Sequence, residues 1–192
     1  MEQKKKKLLE TAFSLFKKHG ITRVTVKEIC AESGVSKGTF YKYFTNKTNL
    51  TEVILKKETE QGMQRYREIM NSEIRFEEKV EQLIRMKLDQ TKGMSSEFVE
   101  DLLTNAPVEI GALHHQLSAA AVEEIMEDLR AAQEKGEISR EIRPGFILWF
   151  LGHMTDMVQD QNLKGLYPSP SDMMRELMRF FFYGIMPGKG QS

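Results

Sequence analysis

Apolar residues recur along this chain at intervals of three and four, and almost nowhere do they alternate with polar ones, so the pattern predicts helices and no sheet. Leu8, Leu9, Ala12, Phe13, Leu15, Phe16 and His19 line one face of a first helix that Gly20 ends. Two short helices follow, with Val26, Ile29 and Cys30 inward on one and Val35, Phe40 and Phe44 inward on the other. A longer helix starts with Leu50, Val53 and Ile54, is mostly charged over 56–64, and resumes its apolar stripe at Tyr66, Ile69 and Met70. Such a helix is anchored at both ends and exposed between them. Phe76, Val80, Leu83, Ile84 and Leu88 mark the next helix, and Phe98, Leu102 and Leu103 a short one before Asn105-Ala-Pro107. A long segment over 109–135 carries Leu113, Leu117, Ala121, Ile125 and Leu129 and stops at Gly136.

The last two segments are apolar on more than one face. Residues 145–158 are apolar nearly all round, and 173–186 almost as much; Ser169 as N-cap and Pro170 in the first turn predict where the final helix begins. A membrane span is excluded, because His153 and Asp156 interrupt the first run and neither run reaches about 20 apolar residues. A helix apolar on two faces needs two partners. One is the body of the same chain, and the pattern predicts an identical pair across a twofold axis as the other; a monomeric core is the alternative.

The two short helices carry the chemistry. Thr25 and Glu28 form a capping box that fixes the start of the first, Gly34 suits a left-handed helix end, and Ser36 caps the second. Helix, glycine turn, helix is the unit that places a recognition helix in the major groove. On the second helix Lys37, Thr39, Tyr41, Lys42 and Tyr43 face outward, each able to reach a phosphate oxygen or a base edge. Gly38 costs that helix roughly 1 kcal/mol relative to alanine, which close approach to DNA would explain. Lysines and tyrosines also decorate ordinary solvated faces. Lys47 favours the DNA reading, since at the start of the next helix its side chain and the backbone donors both suit an anion.

Thr25, Ile29, Gly34, Val35-Ser-Lys-Gly-Thr-Phe-Tyr41, Tyr43-Phe44, Lys47 and Leu50 closely resemble the DNA-binding signature of the TetR family of bacterial transcriptional regulators. The resemblance is specific over about the first fifty residues and covers the rest as architecture only. Cys30 and Ser33 stand where the family often has alanine, and both are small enough to keep the packing. The resemblance implies an all-α fold, with a three-helix DNA-binding domain at 1–48 and a larger helical ligand-binding and dimerisation domain at 49–192. Within the latter, 49–70 is the connector helix and 143–186 hold the dimer helices. It implies double-stranded DNA, a palindromic operator, as partner. Thr25, Ser36, Lys37, Gly38, Thr39, Tyr41, Lys42, Tyr43 and Lys47 are the expected DNA-binding residues, with Tyr43 and Lys47 on phosphate. The implied function is a homodimeric repressor released from its operator by a small, largely apolar effector; a DNA-binding regulator or architectural protein without small-molecule control is the alternative.

Charge divides along the same boundary. Residues 1–50 carry eleven Lys and Arg against four Asp and Glu, and 51–192 carry seventeen against twenty-four, so a net charge of zero conceals a basic head and an acidic body. Lys4 to Lys7 read either as a solubilising tail or as a helix end near the DNA backbone. The single cysteine, Cys30, allows no intrachain disulfide and reads as packing, with redox sensing the lesser reading. The start lacks the apolar core of a signal peptide, which leads to a cytoplasmic expectation.

No enzyme is expected. His114 and His115 are adjacent, point about 100° apart on a helix and cannot share a metal as an i, i+4 pair could. There is no Gly-rich phosphate loop and no nucleophile elbow, and neither cofactor nor metal is expected. Twelve methionines suit a pocket for varied apolar ligands and suit an ordinary helical core equally well. Met86, Phe98, Leu102, Trp149, His153, Met154 and Met157 are the candidate pocket residues. His153 and Asp156 would orient a polar group of the ligand, or else be hydrogen-bond partners at the dimer seam.

Overall fold

A computed structural model describes residues 2–91, 93–167 and 170–185. Among these the fold is all-α, as the periodicity predicts. The order is α1 (Glu2–His19), α2 (Val26–Ser33), α3 (Lys37–Tyr43), α4 (Lys47–Met70), α5 (Phe76–Thr91), α6 (Ser96–Glu100), a π-helical turn (Asp101–Asn105), α7 (Val108–Glu134), α8 (Pro144–Gln159), α9 (Gln161–Lys164) and α10 (Pro170–Ile185). The chain forms two compact units, one from 1–64 with 91–120 and the other from 65–90 with 121–192.

The first unit is built on the stripe read from α1. Leu8, Leu9, Ala12 and Phe16 are buried with Ile21, Val24, Ile29, Cys30, Val35, Phe40, Phe44, Leu50 and Ile54. Burial pushes the Cys30 thiol up from its ordinary pKa, with Lys37 opposing, the direction of a packing thiol rather than a reactive one. Lys4 to Lys7 lie on exposed turns of α1, so they are part of a helix. One member of this core comes from far along the chain: Phe98 of α6 is buried against it and meets Phe13 edge-on at 6.3 Å between ring centroids.

The second unit packs Phe76, Val80 and Ile84 of α5 with Leu129 and Ala132 of α7, Ile138, Ile147 of α8 and Phe181 of α10. Phe150 and Phe181 stack at 5.6 Å. The last turns of α4 are clamped to α7 by two polar links: Tyr66 Oη donates to Asp128 Oδ2 at 2.8 Å, and Arg67 grips Glu124 with bonds of 2.7 and 2.9 Å. Burial and the Asp128 carboxylate push the Tyr66 phenol well above its ordinary pKa, so it stays a donor. Ser169, the expected N-cap of α10, lies outside the described residues, although α10 does begin at Pro170. The short helix predicted from Phe98, Leu102 and Leu103 divides into α6 and the π turn, and the short α9 has no counterpart in the sequence pattern.

Candidate nucleic-acid interface

The helix-turn-helix is set by its caps. Thr25 Oγ1 accepts from Glu28 N at 3.2 Å, and Glu28 Oε2 accepts from Thr25 N at 2.7 Å, which closes the capping box on α2. Those bonds with Thr25 hold the Glu28 carboxyl below the usual carboxylate range. At the other end Gly34 has φ +64°, and its N–H reaches Ala31 O at 3.2 Å. A side chain there would strain the backbone. Ser36 opens α3 by accepting from Thr39 N at 3.2 Å, and its hydroxyl also meets Thr39 Oγ1 at 3.0 Å.

On α3 the division of faces is the one the sequence predicts, with two shifts, the first at Thr39, which is half-buried with its hydroxyl against Ser36 Oγ. Phe40 is fully buried, while Lys37, Gly38, Tyr41 and Lys42 are exposed. Tyr41 leaves 58% of its surface in water despite its size, braced edge-on against Phe40 at 5.2 Å. A Cβ built on Gly38 would meet nothing within 4 Å, so the glycine leaves a gap on the outer surface and relieves no crowding within the fold. Tyr43 is the second shift: it is half-buried and packs against the core of the head, because its ring continues the Phe40–Phe44 stripe.

Lys47 differs more. It begins α4 as expected, but its Nζ donates to Ile21 O at 2.7 Å, Val24 O at 2.8 Å and Thr22 O at 3.0 Å. Three ammonium protons meet three carbonyls, so the ammonium is directed into the head and the expected phosphate contact from its tip is revised. The cause is local: the loop between α1 and α2 turns three carbonyl oxygens toward one point, and a cation satisfies them together. Burial lowers the Lys47 pKa from its ordinary value, and the charges of Asp101 and Glu28 oppose that shift. At the start of α4, Asn46 Oδ1 accepts from Asn49 N at 2.8 Å and so caps the helix.

Asp101 is the residue the sequence reading missed. Buried at the start of the π turn, it accepts from Thr22 N on Oδ2 and from Thr22 Oγ1 on Oδ1, both at 2.8 Å. Its partner lies 79 residues away, and no local pattern announces such a pair.

The candidate pocket residues separate. Phe98 and Leu102 belong to the core of the first unit; Met86, Trp149, His153 and Met157 belong to the second. Packing against Phe13 places Phe98 in that core. Met86 is half-buried on α5. Trp149 is 57% exposed and stacks on Phe146 at 6.2 Å and on His153 at 4.2 Å, a ladder of rings along the outer face of α8. The His153 ring Nδ1 lies 2.8 Å from Trp149 O. Met157 lines a surface cleft with Asp160, Asn162, Leu163 and Leu166. The side chains of Met154 and Asp156 lie outside the described residues.

A capped helix-turn-helix with a cationic, tyrosine-bearing outer face, joined to a helical body, defines a DNA-binding regulator. Residues 8–54 match the family of bacterial regulatory proteins named for tetR. The chain is 25% identical over 138 residues to the HTH-type transcriptional regulator UidR of Escherichia coli K12, covering 71% of this chain and 69% of that one. Its fold is similar to that of the transcriptional regulator FadR of Bacillus subtilis, solved in complex with stearoyl-CoA (TM-score 0.71, 16% identity, 94% of this chain and 98% of that one). It is also similar to a transcriptional regulator of Saccharomonospora viridis solved in complex with choline (TM-score 0.75, 18% identity, 97% and 100% of the two chains). Over residues 8–54 the chain resembles the TetR family, and it is a transcriptional regulator of the TetR/AcrR type. No described helix is long and apolar enough to cross a membrane.

Proposed function

We propose that the chain is a homodimeric repressor that reads a palindromic operator with α3 and leaves it when a small, largely apolar molecule binds in the body. The observation that carries the reading is the exposed face of α3, where Lys37, Gly38, Tyr41 and Lys42 are presented on a helix held by two caps and a buried Phe40. Lys37 and Thr39 read base edges; Tyr41 and Lys42 hold phosphates, with Tyr43 supporting from its half-buried position. Thr25 and Ser36 serve as caps, and the first turn of α4 behind Lys47 offers backbone donors to the phosphate chain. The reading head spans 1–48, the body 49–192 with 49–70 as connector, and the protein acts where the chromosome is, in the cytoplasm.

Dimerisation uses the helices within 143–186. Phe146 and Trp149 on α8 and Phe180 on α10 stand exposed on helices whose opposite faces are already buried, which is apolar surface that a second copy would cover. Two heads related by a twofold axis then meet half-sites roughly one helical turn, about 34 Å, or a multiple of it apart. A ligand releases such a dimer only if it binds the non-DNA state more tightly. A related fold holds stearoyl-CoA, whose acyl chain is long and apolar, which supports an effector of that kind here; another holds choline, a small cation, which supports small-molecule control more generally.

The test is footprinting on DNA upstream of the protein's own gene, with and without candidate lipophilic compounds. A protected palindrome lost on adding a compound supports the reading in full. Protection indifferent to every compound leaves a regulator without small-molecule control, and no protection on any duplex removes the DNA-reading assignment.

A further inference from the structure

We infer that Asp101, which lies outside the helix-turn-helix, is a positioning residue for DNA reading: it sets the attitude of the recognition helix through the loop between α1 and α2. The inference rests on the DNA-binding function proposed above and adds to it a residue from a different part of the chain.

The helix-turn-helix enters from the loop 20–24 and exits into α4 at Lys47. Lys47 joins those two ends, since its ammonium bonds Ile21, Thr22 and Val24 carbonyls. Asp101 then holds the loop itself. Its two oxygens take both donors of Thr22 at 2.8 Å, and two bonds fix an angle as well as a position. The loop is shaped to the carboxylate: Gly20 has φ +83°, and a Cβ there would stand 2.7 Å from Asp101 Oδ2. A second tie lies alongside, where Ser95 N donates to Lys17 O at 2.8 Å and joins the start of α6 to the end of α1.

A carboxylate is a costly group to bury, and apolar packing such as that of Phe98 already holds α6 to the head. What the carboxylate adds is directional. It also begins the π turn, whose closing bond runs from Ala106 N to Asp101 O at 2.8 Å, and single π turns occur often at functional sites. The charge of Asp101 acts on Lys47 too, opposing the loss of its proton. Asp101, Thr22 and Lys47 therefore form one chain of contacts from the π turn to both ends of the reading motif. If the chain is cut, α3 keeps its own caps and core but loses its fixed orientation. Base contacts demand orientation; phosphate contacts tolerate its loss.

The experiment uses the full-length protein and a duplex selected by the wild type from a random-sequence pool, with an unselected duplex as control. Affinities are read by fluorescence anisotropy at several salt concentrations. Asp101→Ala is expected to lower affinity for the selected duplex at least tenfold, to leave the unselected duplex and the salt slope unchanged, and so to collapse the ratio between the two. Asp101→Asn, which keeps one acceptor, restores part of that ratio. Should Asp101→Ala fail to fold, Thr22→Val decides, since it removes only the hydroxyl's bond from an exposed residue and is expected to reduce the ratio less. Folded variants with the wild-type ratio overturn the inference, as does an equal loss on both duplexes, which would mean fewer folded molecules. A wild type that enriches no sequence overturns the DNA-reading assignment instead.

Discussion

Lys47 Nζ donates to the main-chain oxygen of Ile21 at 2.7 Å, bridging 26 residues to tie the first turn of α4 to the loop that follows α1. With Thr22 and Val24 supplying the other acceptors, this cation acts as an internal brace of the head. Lys47→Met should therefore destabilise the protein by about 2 kcal/mol, because three carbonyls lose a charged donor. The loss lowers Tm by roughly 5 °C. Operator affinity falls with it, yet the slope of log affinity against log salt stays that of the wild type. A slope reduced by roughly 1 would return Lys47 to the phosphate contacts.

Tyr41 and Lys42 should show the opposite pattern. Both are exposed on α3, so Tyr41→Ala and Lys42→Ala leave the melting temperature within error of wild type. Each weakens operator binding by on the order of tenfold, about 1.4 kcal/mol, in a gel-shift assay. Lys42→Ala also reduces the salt slope by roughly 1, whereas Lys37→Ala relaxes sequence preference in a selection experiment. Wild-type binding by Tyr41→Ala would remove α3 as the reading surface.

The capping box on α2 gives a pH signature. The Glu28 carboxyl lies below its ordinary value of 4.5 in the fold, so between the two values the unfolded chain binds more protons than the folded one. The stability it contributes is complete above 4.5 and is lost as pH falls through the lowered value. Thermal melts from about pH 6 to about pH 3 should converge for wild type and Glu28→Gln at the acid end. Parallel curves throughout would show that the ionisation of Glu28 contributes nothing.

Gly34 tests the turn itself. With φ at +64° the backbone is left-handed, so Gly34→Ala should cost about 1–2 kcal/mol by chemical denaturation even though the nearest atom to the added methyl, Lys7 Nζ, is 3.8 Å away. A neutral effect would mean that the turn relaxes to another conformation.

The aromatic ladder on α8 tests assembly. Trp149→Glu, on a side chain more than half exposed, should leave secondary structure intact and shift sedimentation from dimer to monomer, with operator affinity lost because the two heads no longer act together. An unchanged sedimentation coefficient would place the interface elsewhere.

Much of the fold and of the reading head is legible in the sequence because it depends on neighbours in the chain. The caps at Thr25 and Ser36, the turn at Gly34 and the inward stripe of Phe40 and Phe44 are relations across three to five residues, and helix periodicity exposes them. The candidate pocket was not legible in the same way. Phe98 looks like any apolar residue on a short helix; only its contact with Phe13, 85 positions earlier, makes it part of the head's core. The Met-rich pattern fared no better, since methionine suits a core and a cavity alike.

By itself the sequence determined that the chain is helical, where the helix-turn-helix begins and turns, and that Lys37, Tyr41 and Lys42 of α3 face away from its core. Tertiary structure alone decided that Lys47 turns inward, that Asp101 grips Thr22 from 79 residues away, and that Trp149 and His153 stack in the open. The reason is physical. Caps and periodicity are local and written in residue spacing, whereas the partner of a buried charge or an exposed ring is whatever the folded chain brings to it.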